Sequence, residues 1–402
     1  MSREVWITGI GLTSSLGEGL DAHWQAMAEA EHPKPVINTE LCAPYPVHPM
    51  VPLDFDKQIP KRSDQRQMEN WQRVGVYTAG LALADAGVAG DADILSRTHM
   101  IVGASGGERD YAVDSAILAE VGKAASPEEF LNDRLSNDLR PTLFLAQLPN
   151  LLAGNISIVH KVTGSSRTLL GEESAGISAV EVAERRIRGG QGDIFLVGSA
   201  VVAERKDSIM ILAGGGWGWK GDPVPVWARP EKGGGSINGS VGAFLVIEAR
   251  EHAEARGRQP YARLGPVFSD RSTRRPGEAA ANAERQFAAI SKAAHHHPLA
   301  VITGASGIAA PTREERDFLA GLMAKGEVST VRAASNMIGT AIDANFASGV
   351  ALAALALSRK GFYKPTDDTG FEKPLATPPE AIAVMTWGVW RGEGMGLVEA
   401  VS

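Results

Sequence analysis

Two rhythms of apolar and polar positions run along the chain. Ile194 to Val197 is wholly apolar, follows the Gly189-Gly190 break and ends at Gly198, too short for a helix and suited to a buried strand. Upstream of it, Ile177, Val180, Ala183 and Ile187 recur on one face of a helix, the spacing of an amphipathic element packed on a core. That helix opens behind two carboxylates, Glu172 and Glu173. A helix N-terminus carries unpaired N–H groups and partial positive charge, so it suits a nucleophile or an anion. The plain alternative is a pair of carboxylates that only satisfy the helix start. Before the helix, the pattern gives a short segment through Asn155, Ile156 and Ser157 and then a turn.

Elsewhere the same rhythms predict strands over Glu4–Gly9, His99–Gly103, Tyr261–Phe268, Leu299–Thr303, Ala381–Thr386 and Leu397–Val401. They predict helices near Asp21–Ala30, Arg62–Gly87, Ala112–Arg140, Gly277–Ala294 and Glu314–Lys325. Ala344–Ser358 is apolar almost all round and is expected between layers. The whole reads as an α/β chain of two βαβ-rich halves, 1–250 and 251–402.

Composition narrows the function classes. At 402 residues, with 44% hydrophobic and 22% charged, the chain can bury a large soluble core in one or two domains. A net charge of −7 argues against nucleic-acid binding. The single cysteine, Cys42, excludes an intramolecular disulfide framework and fits a reducing cytoplasm. No apolar run reaches the ~18 residues of a membrane span, and no signal peptide is evident. Gly9-x-Gly11 fails as a dinucleotide fingerprint because Ser14 takes the third glycine position. The loop Gly214–Trp219 lacks the ending of a phosphate loop and reads as a surface or lid loop. His295-His296-His297 has no further ligand at metal spacing, so no metal is expected, and Arg271, Arg274 and Arg275 read as a solvated loop.

The stretch Gly154–Ser199 resembles the nucleophile elbow of the β-ketoacyl-[acyl carrier protein] synthases, condensing enzymes with a thiolase-type fold. Their pattern runs N-x-x-S-I, G-P-x-x-T, A-C-A, a helix, then D-x-x-L-x-G-G. The matching pieces are Ile156-Ser157-Ile158, Gly164-Ser165-Ser166-Arg167-Thr168, the helix from Gly176, and Asp193–Ser199. Counting inward from both sides places the family's cysteine position on Glu173. The family's H-G-T-x-T-P resembles Ser306–Pro311, which puts Ser306 at the first histidine position beside Gly307. Its K-x-x-x-G-H-x-x-G-A-A-G resembles Val331–Ile342, with Gly339 in register, which puts Val331 at the lysine position and Asn336 at the second histidine position. The gating G-F-G-G turn is thinned to Trp387-Gly388-Val389-Trp390-Arg391-Gly392. No histidine follows His297.

The resemblance implies a thiolase-like duplicated fold in α-β-α-β-α layers, with 112–140 capping an acyl channel at a dimer interface. It implies catalytic positions at Glu173, Ser306 and Asn336, and substrate contacts from Ser174, Gly307, Trp387, Gly388 and Val389. No cofactor is implied. Condensation needs a thiolate to carry the acyl group and two imidazoles to hold the malonyl carbonyl. Acyl transfer to Glu173 would give a mixed anhydride, an uphill product, and Ser174 has no base. The expected role is that of a catalytically degenerate, chain-length-factor-like partner of an active synthase in fatty-acid or long-chain acyl synthesis, served by acyl carrier protein. The alternatives are an active 3-oxoacyl synthase, a malonyl decarboxylase using Glu173 and Asn336, or a non-catalytic homodimer that binds acyl chains or carrier.

Overall fold

The computed structural model describes residues 3–107, 109–390 and 392–401. Ten main strands build the sheet: β1 Val5–Ser14, β2 His99–Gly103, β3 Ser166–Leu169, β4 Ile194–Val201, β5 Val241–Ala249, β6 Ala262–Arg271, β7 Leu299–Thr303, β8 Val328–Ala333, β9 Ala381–Trp387 and β10 Gly392–Glu399. Six helices frame it: α1 Asn70–Asp85, α2 Asn150–His160, α3 Glu173–Arg188, α4 Glu278–Ala293, α5 Ala309–Ala324 and α6 Asn345–Ser358. The strand order is β8-β7-β9-β10-β6-β1-β5-β4-β2-β3. Each half repeats one plan. In the first, β2 is parallel to β3 and β4, while β5 is antiparallel to β4 and β1. In the second, β7 is parallel to β8 and β9, while β10 is antiparallel to β9 and β6. The two expected sheets are joined into one by a short antiparallel ladder, Val5–Leu264, Trp6–Arg263 and Ile7–Ala262.

Side-chain alternation along the strands makes the layers. On β7, Leu299 and Val301 face an outer core with Phe287 and Ile290 of α4 and Leu319 of α5. Ala300 and Ile302 face the central core, where Ile177, Val180 and Ala183 of α3 meet Val350, Ala351 and Ala354 of α6. A third core packs α1 and α2 on the outer face of the first half through Val74, Leu83, Leu152 and Ile156. α6 is apolar all round because it lies between layers, as its sequence predicts. Among the described residues no helix is long and apolar enough to cross a membrane.

Several expectations change. Ile156-Ser157-Ile158 lies inside α2, and the turn expected after it contains β3. Arg62–Gly87 breaks into two helices at Met68, where Glu69 and Gln72 form a capping box that starts α1 afresh. β8 carries no expected element, and β10 begins five residues before the expected strand at Leu397. Arg274 is not solvated; it turns inward and pairs with the buried Glu393.

Candidate functional site

Two short segments and one helix end converge on a cavity. α3 begins at Glu173 behind Glu172, whose φ of +49° is the left-handed geometry of a sharp strand-to-helix turn. α3 packs on the segment Ile342–Ala344 at a place where only a glycine fits. A Cβ on Gly176 would run into the carbonyl of Asp343, with the carbonyl carbon 3.0 Å away. The turn between β9 and β10 comes down on the same helix end. It closes with the Gly388 N–H donating to the Gly392 carbonyl at 2.7 Å, and a Cβ on Gly388 would lie 2.7 Å from Glu173 Cγ. Arg391, in the Trp387–Gly392 stretch of the sequence, lies outside the described residues.

The cavity wall holds Glu173, Ser306, Trp387, Gly388 and Val389. It also holds Trp217, Ser236, Asn238, Thr340, Asn345 and Trp390. Neither cysteine nor histidine is among the lining residues described. Three candidates lie elsewhere. Ser174 donates from Oγ to the Gly171 carbonyl at 2.6 Å and faces an outer groove with Leu170, Ser178 and Arg271. Gly307 donates its N–H to Thr312 Oγ1 at 3.0 Å, which fixes the start of α5. Asn336 accepts from the Val226 N–H at 2.7 Å and donates to Thr366 Oγ1 at 3.3 Å, so its amide is spent on structure.

Glu173 is buried, and Oε1 accepts the Trp390 N–H at 2.7 Å while Oε2 has no partner among the described residues. Burial raises its pKa, opposed by the backbone N–H groups of Glu173 and Trp390 and by Arg274. Behind it, Asp343 is fully buried and accepts from the Ser105 hydroxyl. Its pKa is pushed up to about 7, first by burial and then by the charges of Glu173 and Glu172. Among the described residues the site therefore presents two carboxyls of raised pKa and no imidazole or thiol.

Trp217 carries its glycine-rich loop, exposed at Gly214, Gly215 and Gly216, to the cavity wall. Its ring meets Trp390 edge to face at 4.9 Å. Its carbonyl accepts the Ser236 N–H at 2.7 Å, which pins the loop to the cavity wall. An aromatic set among glycines is the signal that sequence reading passed over. Asp343 was legible in the same way, as a lone acid inside the apolar run from Met337 to Phe346.

Residues 2–252 match the model of the β-ketoacyl synthase N-terminal domain. The chain belongs to the β-ketoacyl synthase family. A family relative, the 3-oxoacyl-[acyl-carrier-protein] synthase 2 of Vibrio harveyi, is 25% identical over 272 residues, 65% of this chain and 61% of the relative. The synthase 2 of Rhizobium meliloti is 26% identical over 283 residues, 65% of this chain and 63% of its own length. The match thus spans less than two thirds of these relatives. Among solved structures, the ishigamide ketosynthase/chain length factor superposes with a TM-score of 0.79 at 17% identity, covering 100% of both chains. A type II polyketide acyl-carrier protein in complex with its ketosynthase superposes at 0.72 and 16%, again covering 100% of both chains. At such identities the likeness shows the fold, which is that of the thiolase-like ketosynthases.

Proposed function

We propose that this β-ketoacyl synthase family member is a non-condensing subunit that pairs with an active synthase and shapes the acyl tunnel of the pair, in the manner of a chain length factor. The observation that carries the proposal is the cavity itself. A buried carboxyl stands at the end of α3, with no cysteine or histidine lining the space in front of it. A carboxylate there forms no acyl thioester, and no imidazole is among the described lining residues to stabilise the carbanion of a decarboxylating malonyl group. In this reading Glu173 and Ser306 stand at positions that lost their chemistry, and Asn336 became a structural amide. The halves 1–250 and 251–402 are the two thiolase-like units, acyl carrier protein is the donor to the pair, and the work takes place in the cytoplasm.

Pairing is supported by an uncovered edge. Among the described residues β3 has a neighbour on one side only, β2. The exposed Leu170 just beyond it and Ile211 line one groove. An open strand edge beside exposed apolar side chains is a surface that another chain can cover.

The purified chain, mixed alone with malonyl- and acyl-loaded carrier protein, is expected to release no carbon dioxide and to show no acyl adduct by intact mass. Turnover by the chain alone, or an adduct on any residue, would overturn the proposal.

A further inference from the structure

A second opening lies at the far end of α3. The last turn of that helix is about 20 Å from Glu173 along its axis, and Arg186 in that turn sets its guanidinium carbon 4.9 Å from the centre of the Phe195 ring. Phe195 in turn meets the ring of His99 at 4.9 Å, tilted by 45°. His99 begins β2 and borders a pocket of about 360 Å³, with Arg97, Gly164, Gly192, Asp193 and His252 also in its wall. None of these six residues borders the cavity in front of Glu173.

Each imidazole is fixed by the bond it makes at Nδ1. The Ser165 backbone N–H, 3.1 Å away, can only donate, so His99 Nδ1 accepts and the neutral ring carries its proton on Nε2. Burial, and then the charge of Arg186, lower the His99 pKa and keep the ring neutral. Gly192 leaves the Nε2 edge open, since a Cβ there would lie 2.9 Å from that nitrogen. His252 stands in the helix Arg250–Ala255, one turn beyond Glu248, with Nδ1 2.6 Å from the Glu248 carboxyl. Burial works against ionisation of Glu248, but bonds from Arg256, His252 and Thr8 hold its pKa down to about 2. It is a carboxylate that accepts, and His252 Nδ1–H donates to it. The neutral His252 ring is then left with a bare Nε2. One imidazole at the pocket thus has a donor to offer and the other an acceptor.

We infer that this pocket binds a small oxyanion with an O–H and an unprotonated oxygen on one centre, hydrogenphosphate or hydrogencarbonate. His99 Nε2–H donates to the unprotonated oxygen, and His252 Nε2 accepts the O–H. Arg97 supplies the positive charge. It is held in an exposed pair with Asp93 on its own helix at 2.6 Å, and such a pair is weak enough for the guanidinium to turn to an anion. Asp193 is engaged by Arg3 at 2.7 Å, so its charge is already met. Sulfate has no O–H and would leave His252 Nε2 unmet. The site is separate from the cavity in front of Glu173 and does not depend on pairing with a synthase.

Imidazole NMR on the whole protein tests the inference. The chain has nine histidines, and His99→Phe and His252→Ala assign the two signals of interest in protein labelled at histidine. The buffer is free of phosphate and set near pH ~8, where an ordinary imidazole is neutral. Both signals are expected to shift and saturate as phosphate is added, and a parallel titration with hydrogencarbonate tells the two ions apart, the tighter being the ligand. Sulfate at matched ionic strength is expected to bind about tenfold more weakly or worse, the loss of one hydrogen bond to a buried nitrogen. Each substitution is expected to weaken binding of the tighter ion by about tenfold or more. If neither ion moves the two wild-type signals, or if sulfate moves them as readily, the inference is overturned, and the comparison of ions needs no variant to fold. Unchanged affinity in either folded variant would also overturn it.

Discussion

Asp343→Asn is expected to resist urea better than wild type at pH 8 and to match it near pH 4. Asp343 is fully buried, is bonded by the Ser105 hydroxyl, and faces the charges of Glu173 and Glu172. Its pKa stands at about 7 in the fold against an ordinary value of 3.8. A carboxyl raised in the folded state favours folding while it is protonated. Its contribution is complete below pH ~4 and is lost as pH rises through about 7. The shift corresponds to about 4 kcal/mol at most once ionisation is complete. Asparagine mimics the protonated acid, keeps an acceptor for Ser105 and cannot ionise, so its profile should lack this fall. Glu315, raised to about 8, and Glu184, raised to about 7, titrate over the same range in both proteins. The difference between the two curves therefore reports Asp343 together with its charge coupling to Glu173 and Glu172. Parallel curves from pH 4 to 8 would show that Asp343 is not held in the environment described.

Gly176→Ala should be the most damaging single methyl group that can be added at the site. The new Cβ would run into the Asp343 carbonyl, with the carbonyl carbon at 3.0 Å, and Gly103 approaches the same turn of α3 from β2. Both neighbours are backbone, so neither can relax by changing a rotamer. Either α3 lifts from the Ile342–Ala344 segment or the β2–α3 contact opens. Overpacking of this kind costs about 3 kcal/mol or more, which should appear as a large drop in the urea midpoint with the slope unchanged. A loss below about 1 kcal/mol would mean that α3 and the Asp343 segment are not in close contact.

Both predictions concern a contact that the sequence showed only in part. Ile177, Val180, Ala183 and Ile187 announced α3 by their period, and the apolar Ala344–Ser358 announced a buried helix, because both elements present their packing face as a repeating pattern. β3 was hidden, since Ser-Arg-Thr-Leu sits at an edge with two exposed residues and shows no apolar alternation. β8 was hidden for a different reason. Its Thr330 and Arg332 are buried but satisfied by carbonyls of Lys373 and Tyr363, so polar residues occupy a core strand. At the site, Glu173, Ser306 and the Trp387–Val389 turn were legible because each sits in a register with glycine or proline markers. Trp217, Asn238 and Thr340 reach the cavity only through tertiary packing. Asn336 illustrates the limit of register: its position in the sequence was counted from Gly339, but its amide is turned to Val226 and Thr366.

The most direct test of the account is co-expression of this chain with an active β-ketoacyl synthase that carries cysteine and two histidines. The complex would be isolated by size exclusion with mass measurement and assayed for condensation. The account predicts a one-to-one complex that condenses malonyl and acyl carriers when only the synthase keeps its cysteine, with product length altered by changes at the cavity turn around Val389. A stable homodimer that ignores the synthase and condenses the same carriers unaided would contradict it.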